Sequence, residues 1–180
     1  MYFKKLVGKK CYLSPMNVND AEIYTEWLND LDITSNLSMY HINIGIQAEK
    51  EILERLSKEQ NYSIIDIESN NLIGSCGLMD LDHLNQTAEI GIFIGNKSFW
   101  NKGYGTEAMK LLLDYGFKAL NLHNIMLKVY SFNENAKRVY DKLGFNIIGK
   151  RRESLKRGNK VFDIIYMDIV YEEFYNKNKM

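Results

Sequence analysis

Several features that mark whole functional classes are scarce in this chain. Only two cysteines, Cys11 and Cys76, stand among its 180 residues, too few and too isolated for a disulfide framework or a cysteine zinc site. Both read as buried small hydrophobes in a reducing compartment. The three histidines, His41, His83 and His123, show neither metal-ligand spacing nor a nucleophile partner, and nothing near either cysteine activates it. No triad and no metal site is expected. Charge of one sign is also missing: 23 basic side chains balance 23 acidic ones, and the isoelectric point is near 6.8. No global field draws the protein to nucleic acid or to an anionic membrane, so any anion site must be local. No run approaches the ~18 apolar residues of a membrane-spanning helix, and Met1 to Gly8 lacks the apolar core of a signal peptide. The cytoplasm is the expected location. Asn, Ile, Lys and Tyr are abundant but evenly spread, without a repeat or low-complexity tract.

What is present suffices for a core. With 46% hydrophobic residues and no linker-like stretch, residues 1–180 are expected to form a single domain. Strand formers cluster at Cys11 to Leu13, Tyr62 to Ile67, Leu72 to Leu78, Thr87 to Ile94, Asn124 to Tyr130, Phe145 to Ile148 and Val161 to Met167. Ser69-Asn70-Asn71 supplies turn chemistry for one hairpin, and Gly158-Asn159 joins the last two strands. A helix capped by Asn19 or Asp20 is expected through Leu28, with Ile23, Trp27 and Leu28 among its apolar positions, and a second over Ala48 to Leu56. A third, Thr106 to Ala119, carries Met109, Leu112, Leu113, Gly116 and Phe117 at helical spacing and buries one face on the sheet. A fourth begins at Asn133 and ends at Gly144 in a left-handed cap. Residues 176–180 read as a frayed tail. The order predicts a mixed α and β fold, helices on a sheet that is at least partly antiparallel.

Phe99-Trp100-Asn101-Lys102-Gly103-Tyr104-Gly105-Thr106-Glu107-Ala108 is a glycine turn between an apolar strand and an amphipathic helix. Gly103 and Gly105 let backbone N–H groups approach an anion, which the helix N-terminus also favours. Such a turn also serves plain tight packing. A dinucleotide loop would carry a third glycine after the first strand, and a nucleoside-triphosphate loop would need Gly-Lys followed by Ser or Thr; neither pattern is met. Downstream, Asn133, Ala136 and Tyr140 fall on one helical face. The small Ala136 keeps that face low for a slender ligand arm, Asn133 can hydrogen-bond an amide, and Tyr140 can offer its phenol. Without further context Tyr140 reads more readily as a core aromatic with a satisfied hydroxyl.

These residues resemble the GNAT superfamily of acetyl-CoA-dependent N-acetyltransferases. Its loop, Gln/Arg-x-x-Gly-x-Gly/Ala, is similar to Trp100-Asn101-Lys102-Gly103-Tyr104-Gly105; Trp at the first position occurs in the branch of ribosomal-protein N-terminal acetyltransferases and bacterial spermidine acetyltransferases. Its second motif, Asn-x-x-Ala-x-x-x-Tyr-x-Lys-x-Gly-Phe, matches Asn133 to Phe145 at every defined position. The resemblance covers nearly the whole chain. It implies an α/β (α+β) GNAT fold: a central mixed, mostly antiparallel sheet flanked by helices and splayed between the fourth and fifth strands.

The resemblance also implies an acetyl transfer straight from acetyl-CoA to a primary amine, with no protein nucleophile and no metal. Tyr140 becomes the general acid for the departing thiolate and Glu89 a general base, acting directly or through water. Glu89 reads otherwise as a solvated strand residue or the partner of a lysine. Backbone groups of Ile92, Phe93 and Ile94 would hold the pantetheine arm as an added strand. Lys102, Gly103, Tyr104, Gly105 and Thr106 would hold the pyrophosphate, with Asn133 and Ala136 completing the cofactor-binding set. The Lys102 side chain reads either as a phosphate contact or as a solvated turn residue. Lys150-Arg151-Arg152 and Lys156-Arg157 are solvated charge, or contacts for CoA phosphates or an acidic substrate. Expected partners are acetyl-CoA and an amine acceptor, with a homodimer in view and neither nucleic acid nor membrane. The acceptor is open: a protein N-terminus, a polyamine, or another small amine such as an amino sugar or drug. A pocket lined by Glu22, Glu26, Asp30 and Asp32 would favour a polyamine, an open groove a peptide. Two other classes stand beside this: a non-catalytic CoA-binding regulatory module, and a nucleotide-binding protein that would place ATP on the glycine turn.

Overall fold

The computed structural model describes residues 1–177. Strands β1 (Leu6–Val7) and β2 (Cys11–Pro15) lead into helices α1 (Ala21–Asn29), α2 (Leu31–Thr34) and α3 (Ile46–Leu56). Strands β3 (Asn61–Asp66), β4 (Leu72–Asp82) and β5 (Thr87–Ile94) follow, then α4 (Tyr104–Lys118), β6 (Asn124–Tyr130), α5 (Glu134–Leu143), β7 (Asn146–Arg157), β8 (Lys160–Val170) and α6 (Tyr171–Lys177). The strands order as β1-β2-β3-β4-β5-β6-β8-β7. Registered pairs are antiparallel at β1/β2, β2/β3, β3/β4, β6/β8 and β7/β8, and parallel at β5/β6. This is the mixed, mostly antiparallel sheet that the resemblance implies.

The parallel pairing runs only from Thr87↔Asn124 to Glu89↔Met126, although β5 continues to Ile94 and β6 to Tyr130. Beyond Met126, β6 keeps its antiparallel ladder to β8 as far as Tyr130↔Ile164. The registered β5/β6 pairing therefore ends at Glu89↔Met126. The two-residue β1, too short to register as a strand signal, makes these the fifth and sixth strands.

By contacts the chain divides into two compact units, each built from two segments: Met1–Gly77 with Ile92–Leu112, and Leu78–Gly91 with the chain from Leu113 onward. In the first, Tyr12, Met16, Ala21, Tyr24, Trp27, Ile33, Leu53, Ile65 and Leu72 form one apolar cluster. β2 and β3 are buried on both faces, so they read as continuous rather than alternating apolar runs. Helix α1 turns Ala21, Tyr24, Trp27 and Leu28 inward, and Ile23, expected there, is 38% exposed because it lies off that stripe. Nor does Asp20 cap α1: its Oδ1 accepts from the Tyr2 hydroxyl at 3.1 Å, while the Asn17 side chain caps a 3-10 turn at Val18–Asp20. Gly95 is obligatory here, since a Cβ would stand 2.1 Å from the Trp27 indole.

In the second unit β6 alternates, burying Ile125, Leu127 and Val129. Phe117 of α4 meets Tyr171, Phe174 and Tyr175 of α6 at ring distances of 5.9, 5.4 and 6.4 Å. Asn176 and Lys177 therefore close a packed helix instead of fraying; residues 178–180 of the expected tail lie outside the described residues. The last hairpin is much longer than its apolar core suggests, because β7 is an edge strand with polar residues on both faces. Its basic cluster is on that edge, with Lys150 3.2 Å from Asp163 and the Arg157 guanidinium 5.6 Å from the Tyr130 ring centroid. Both cysteines are free and buried, as expected.

Candidate active site

The glycine turn grows out of β5 through a 3-10 turn, Lys97–Phe99, that the Asn96 side chain caps. Trp100 then donates its indole N–H to the Ile94 carbonyl at 2.8 Å, fastening the turn to the strand it leaves. Asn101 at φ +58° and Gly103 at φ +87° reverse the chain. The first helical bond runs from Glu107 N to Gly103 O at 3.1 Å. The N–H groups of Gly103, Tyr104, Gly105 and Thr106 thus have no acceptor among the described residues, as at any open helix start. They converge at the positive end of the 15-residue α4. A Cβ on Gly103 would be strained by its φ, and one on Gly105 would meet Ile92 and Ile94 only at 3.9 Å. Unpaired donors on a bare backbone are what a pyrophosphate requires, so the residues fit that group.

Tyr104 is held from the side, its hydroxyl donating to Asp66 Oδ1 at 2.8 Å. That bond, ahead of burial, pushes the phenol up to about 12. Asp66 also accepts from the Ser69 N–H at 2.8 Å and hydroxyl at 2.6 Å, tying the β3–β4 turn to the glycine turn. Beside them lies a cavity of about 440 Å³ whose lining includes Asp66, Glu68, Phe99 and Lys102. Lys102 is exposed at its rim, and its two carboxylates make this cavity a poor place for a phosphate.

In the second unit, Glu89 Oε2 lies 2.6 Å from Lys128 Nζ, with the Glu89 side chain 17% exposed. The hydrogen bond to Glu89 is the main cause that raises the Lys128 ammonium above its ordinary value. Asn133 caps α5, its Oδ1 accepting from Ala136 N at 3.1 Å, which leaves its amide NH2 free to donate. Gly144 ends the helix at φ +107°. Tyr140, half-buried, sets its ring edge-on to Phe145 at 5.8 Å. Burial pushes its phenol up to about 12, and its hydroxyl has no hydrogen-bond partner among the described residues. A protonated donor with nothing to donate to is suited to an incoming charge.

Comparison with known proteins decides what this arrangement belongs to. The acetyltransferase (GNAT) domain family matches residues 10–146. The chain belongs to the GNAT acetyltransferase family. Spermidine N(1)-acetyltransferase of Escherichia coli (strain K12) is 33% identical over 158 residues, 85% of this chain and 84% of its own. Uncharacterized N-acetyltransferase p20 of Bacillus licheniformis is 29% identical over 174 residues, 94% of this chain and 97% of its own. The crystal structure of spermidine N-acetyltransferase from Vibrio cholerae in complex with CoA and spermine shares the fold, with a TM-score of 0.83 at 24% identity over 94% of this chain and all of that one. This GNAT enzyme is an acetyl-CoA-dependent N-acetyltransferase.

The first unit of the GNAT enzyme brings together Ile92, Phe93, Ile94 and the turn Lys102 to Thr106. The second carries Glu89, Asn133, Ala136 and Tyr140, and no hydrogen bond joins Glu89 to Tyr140 among the described residues. One part of the strand expectation narrows: the Ile94 carbonyl is occupied by Trp100. Sequence reasoning missed that role of Trp100, reading the residue only as a departure from the usual first position of the loop. It offered a lysine partner for Glu89 without placing it at Lys128, 39 positions away, and it missed Asp66, whose partner is 38 positions away in the chain. Among such residues only Glu107 left a local trace, an acid in the first turn of a helix.

Proposed function

We propose that this enzyme moves an acetyl group directly onto a primary amine, with a protein N-terminus or a small amine as acceptor. The observation that carries the reading is the row of unpaired N–H groups from Gly103 to Thr106 at the start of α4. Acetyl-CoA supplies the thioester carbonyl that the amine attacks. The turn from Lys102 to Thr106 holds the pyrophosphate, and the backbone of Ile92, Phe93 and the Ile94 N–H aligns the pantetheine arm. Asn133 donates its free amide hydrogens to that arm, and Ala136 leaves it room. Glu89 takes the proton of the attacking amine, directly or through water, and Tyr140 gives its own to the sulfur as the carbon–sulfur bond breaks. Holding the two reactants together supplies much of the rate. The reading takes residues 1–180 as one domain acting in the cytoplasm, with a second copy of the chain as its candidate protein partner and neither nucleic acid nor membrane.

Polyamine acetylation is the second reading, supported by the relative named a spermidine N(1)-acetyltransferase. The acids offered for it are partly spent. A cavity of about 580 Å³ is lined by Glu26 and Asp30, among others, and by neither Glu22 nor Asp32. Lys97 stands in its wall, 2.8 Å from both Asp30 and Asp32, leaving Glu26 as the uncompensated carboxylate of the expected four-acid set at that cavity. Incubation with acetyl-CoA and a panel of N-terminal peptides, spermidine, spermine, amino sugars and simple amines, read by CoA release and product mass, tests both readings. Turnover confined to polyamines selects the second. Tight CoA binding with no turnover on any amine leaves a regulatory module instead.

A further inference from the structure

Lys10 reaches the glycine turn from the start of β2. Its Nζ donates to the Lys102 carbonyl at 2.8 Å, stands 3.8 Å from where a Gly103 Cβ would be, and lies 5.8 Å from the Tyr104 ring centroid. Lys102 and Gly103 share one planar trans peptide, whose C=O and N–H point in opposite directions. Fixing the carbonyl therefore fixes the Gly103 N–H, aimed away from Lys10. Without that anchor the peptide next to a glycine turns easily, since no Cβ restricts it.

Lys10 is itself held. One carboxylate oxygen of Glu107 accepts from Lys9 N at 2.9 Å, and the other from Lys10 N at 2.8 Å and Cys11 N at 3.0 Å. Three successive backbone N–H groups thus close around one anion, a small nest. Gly8 permits the closure, because a Cβ there would come 2.7 Å from the Glu107 carboxyl carbon.

We propose that Lys10, seated by Glu107, is a positioning residue for the acetyl donor: it locks the Lys102–Gly103 peptide so that the Gly103 N–H faces the pyrophosphate. The inference deepens the donor reading above and rests on it. A direct phosphate contact would need the ammonium on the N–H side of that peptide, and it stands on the carbonyl side.

The test compares the wild-type enzyme, Lys10→Met and Lys10→Arg, measuring CoA affinity by calorimetry and steady-state kinetics at low and high salt. Lys10 is exposed, so both variants should fold, and thermal unfolding checks this. Lys10→Met should raise Kd for CoA and KM for acetyl-CoA about fivefold, while kcat changes by less than about twofold. Lys10→Arg, which can donate to the same carbonyl, should recover most of the loss. The factor should be the same at both salt concentrations, because a neutral carbonyl and not a phosphate is the partner. An unchanged Kd in Lys10→Met overturns the proposal. So does a loss that vanishes at high salt, which would make Lys10 a direct contact. Failure of the wild-type enzyme to bind CoA would instead overturn the donor reading itself.

Discussion

Lys128 Nζ and Glu89 Oε2 stand 2.6 Å apart on neighbouring strands, where the β5/β6 ladder ends at Glu89↔Met126. Lys128 lies two residues beyond Met126, hence on the same face of the sheet as Glu89. The pair occupies one carboxylate oxygen and leaves the other available to an amine or a water. If Glu89 is the base, Glu89→Gln should lower kcat by about 100-fold, whereas Lys128→Met, which leaves the carboxylate in place, should lower it only by roughly threefold. Both substitutions keep the length of the side chain at the open end of this strand pairing, so both variants should remain folded, which thermal unfolding checks. Steady-state kinetics with a saturating amine decide the matter, and equal losses in the two variants would reduce Glu89 to a tether between strands.

Tyr140 carries the clearest chemical expectation in the second unit. Its phenol is pushed up to about 12 by burial, so it keeps its proton throughout the assay range. The kcat profile should therefore show no descending limb from this group between pH 7 and pH 10, a window well below that value. Tyr140→Phe keeps the ring packed on Phe145 and removes only the donor, which should lower kcat by about 100-fold with little change in thermal midpoint. Unchanged turnover would leave Tyr140 a packing residue.

Where the sequence could be read, the signal was local. Thr87–Ile94 and Asn124–Tyr130 have the bounds that their strand-forming runs predict, and α5 starts after the Asn133 cap and stops at Gly144. Helix α4 starts two residues earlier than its periodicity suggests, because Tyr104 and Gly105 are already helical. The glycine turn and the Asn133 to Phe145 motif were legible because each is a short run whose chemistry lies in its own spacing. The rest depended on tertiary register. An exposed edge strand such as β7 shows no alternation, and Asp20 was lost as a cap to Tyr2, a partner 18 positions away. The bonds from Glu107 to Lys9, Lys10 and Cys11 span 96 to 98 positions, and no local pattern encodes them.

Glu49 in α3 is 2% exposed, and its Oε2 has no partner among the described residues. Burial pushes its carboxyl from 4.5 up to about 7. The unfolded chain releases this proton near 4.5 and the folded one holds it to about 7, so the stability associated with Glu49 is full below 4.5 and falls as pH rises through 7. Glu49→Gln removes the charge and keeps the shape. Thermal unfolding should find the variant close to wild type at pH 4.5 and more stable above pH 7, by roughly 3 °C for each kcal/mol recovered. No gain at the higher pH would show that the charged carboxylate is compensated in the fold.

Glu107 titrates with the opposite sign. Burial alone would raise its carboxyl, but the N–H groups of Lys9, Lys10 and Cys11 together outweigh it and hold the group below its ordinary 4.5. A depressed folded value means that the unfolded chain binds the proton first as pH falls. The stabilisation is therefore fully present above 4.5 and is lost as pH drops through the lower folded value. Glu107→Gln keeps one acceptor oxygen and loses the charge, which should cost about 2 kcal/mol at neutral pH, or roughly 5 °C in midpoint for a chain of this size. Unfolding followed from pH 7 downward should show the variant and wild type converging once the wild-type carboxyl is protonated. A gap that persists unchanged to pH 2 would mean that the variant suffers from lost shape and not from lost charge, and that the three N–H groups around Glu107 do not depend on an anion.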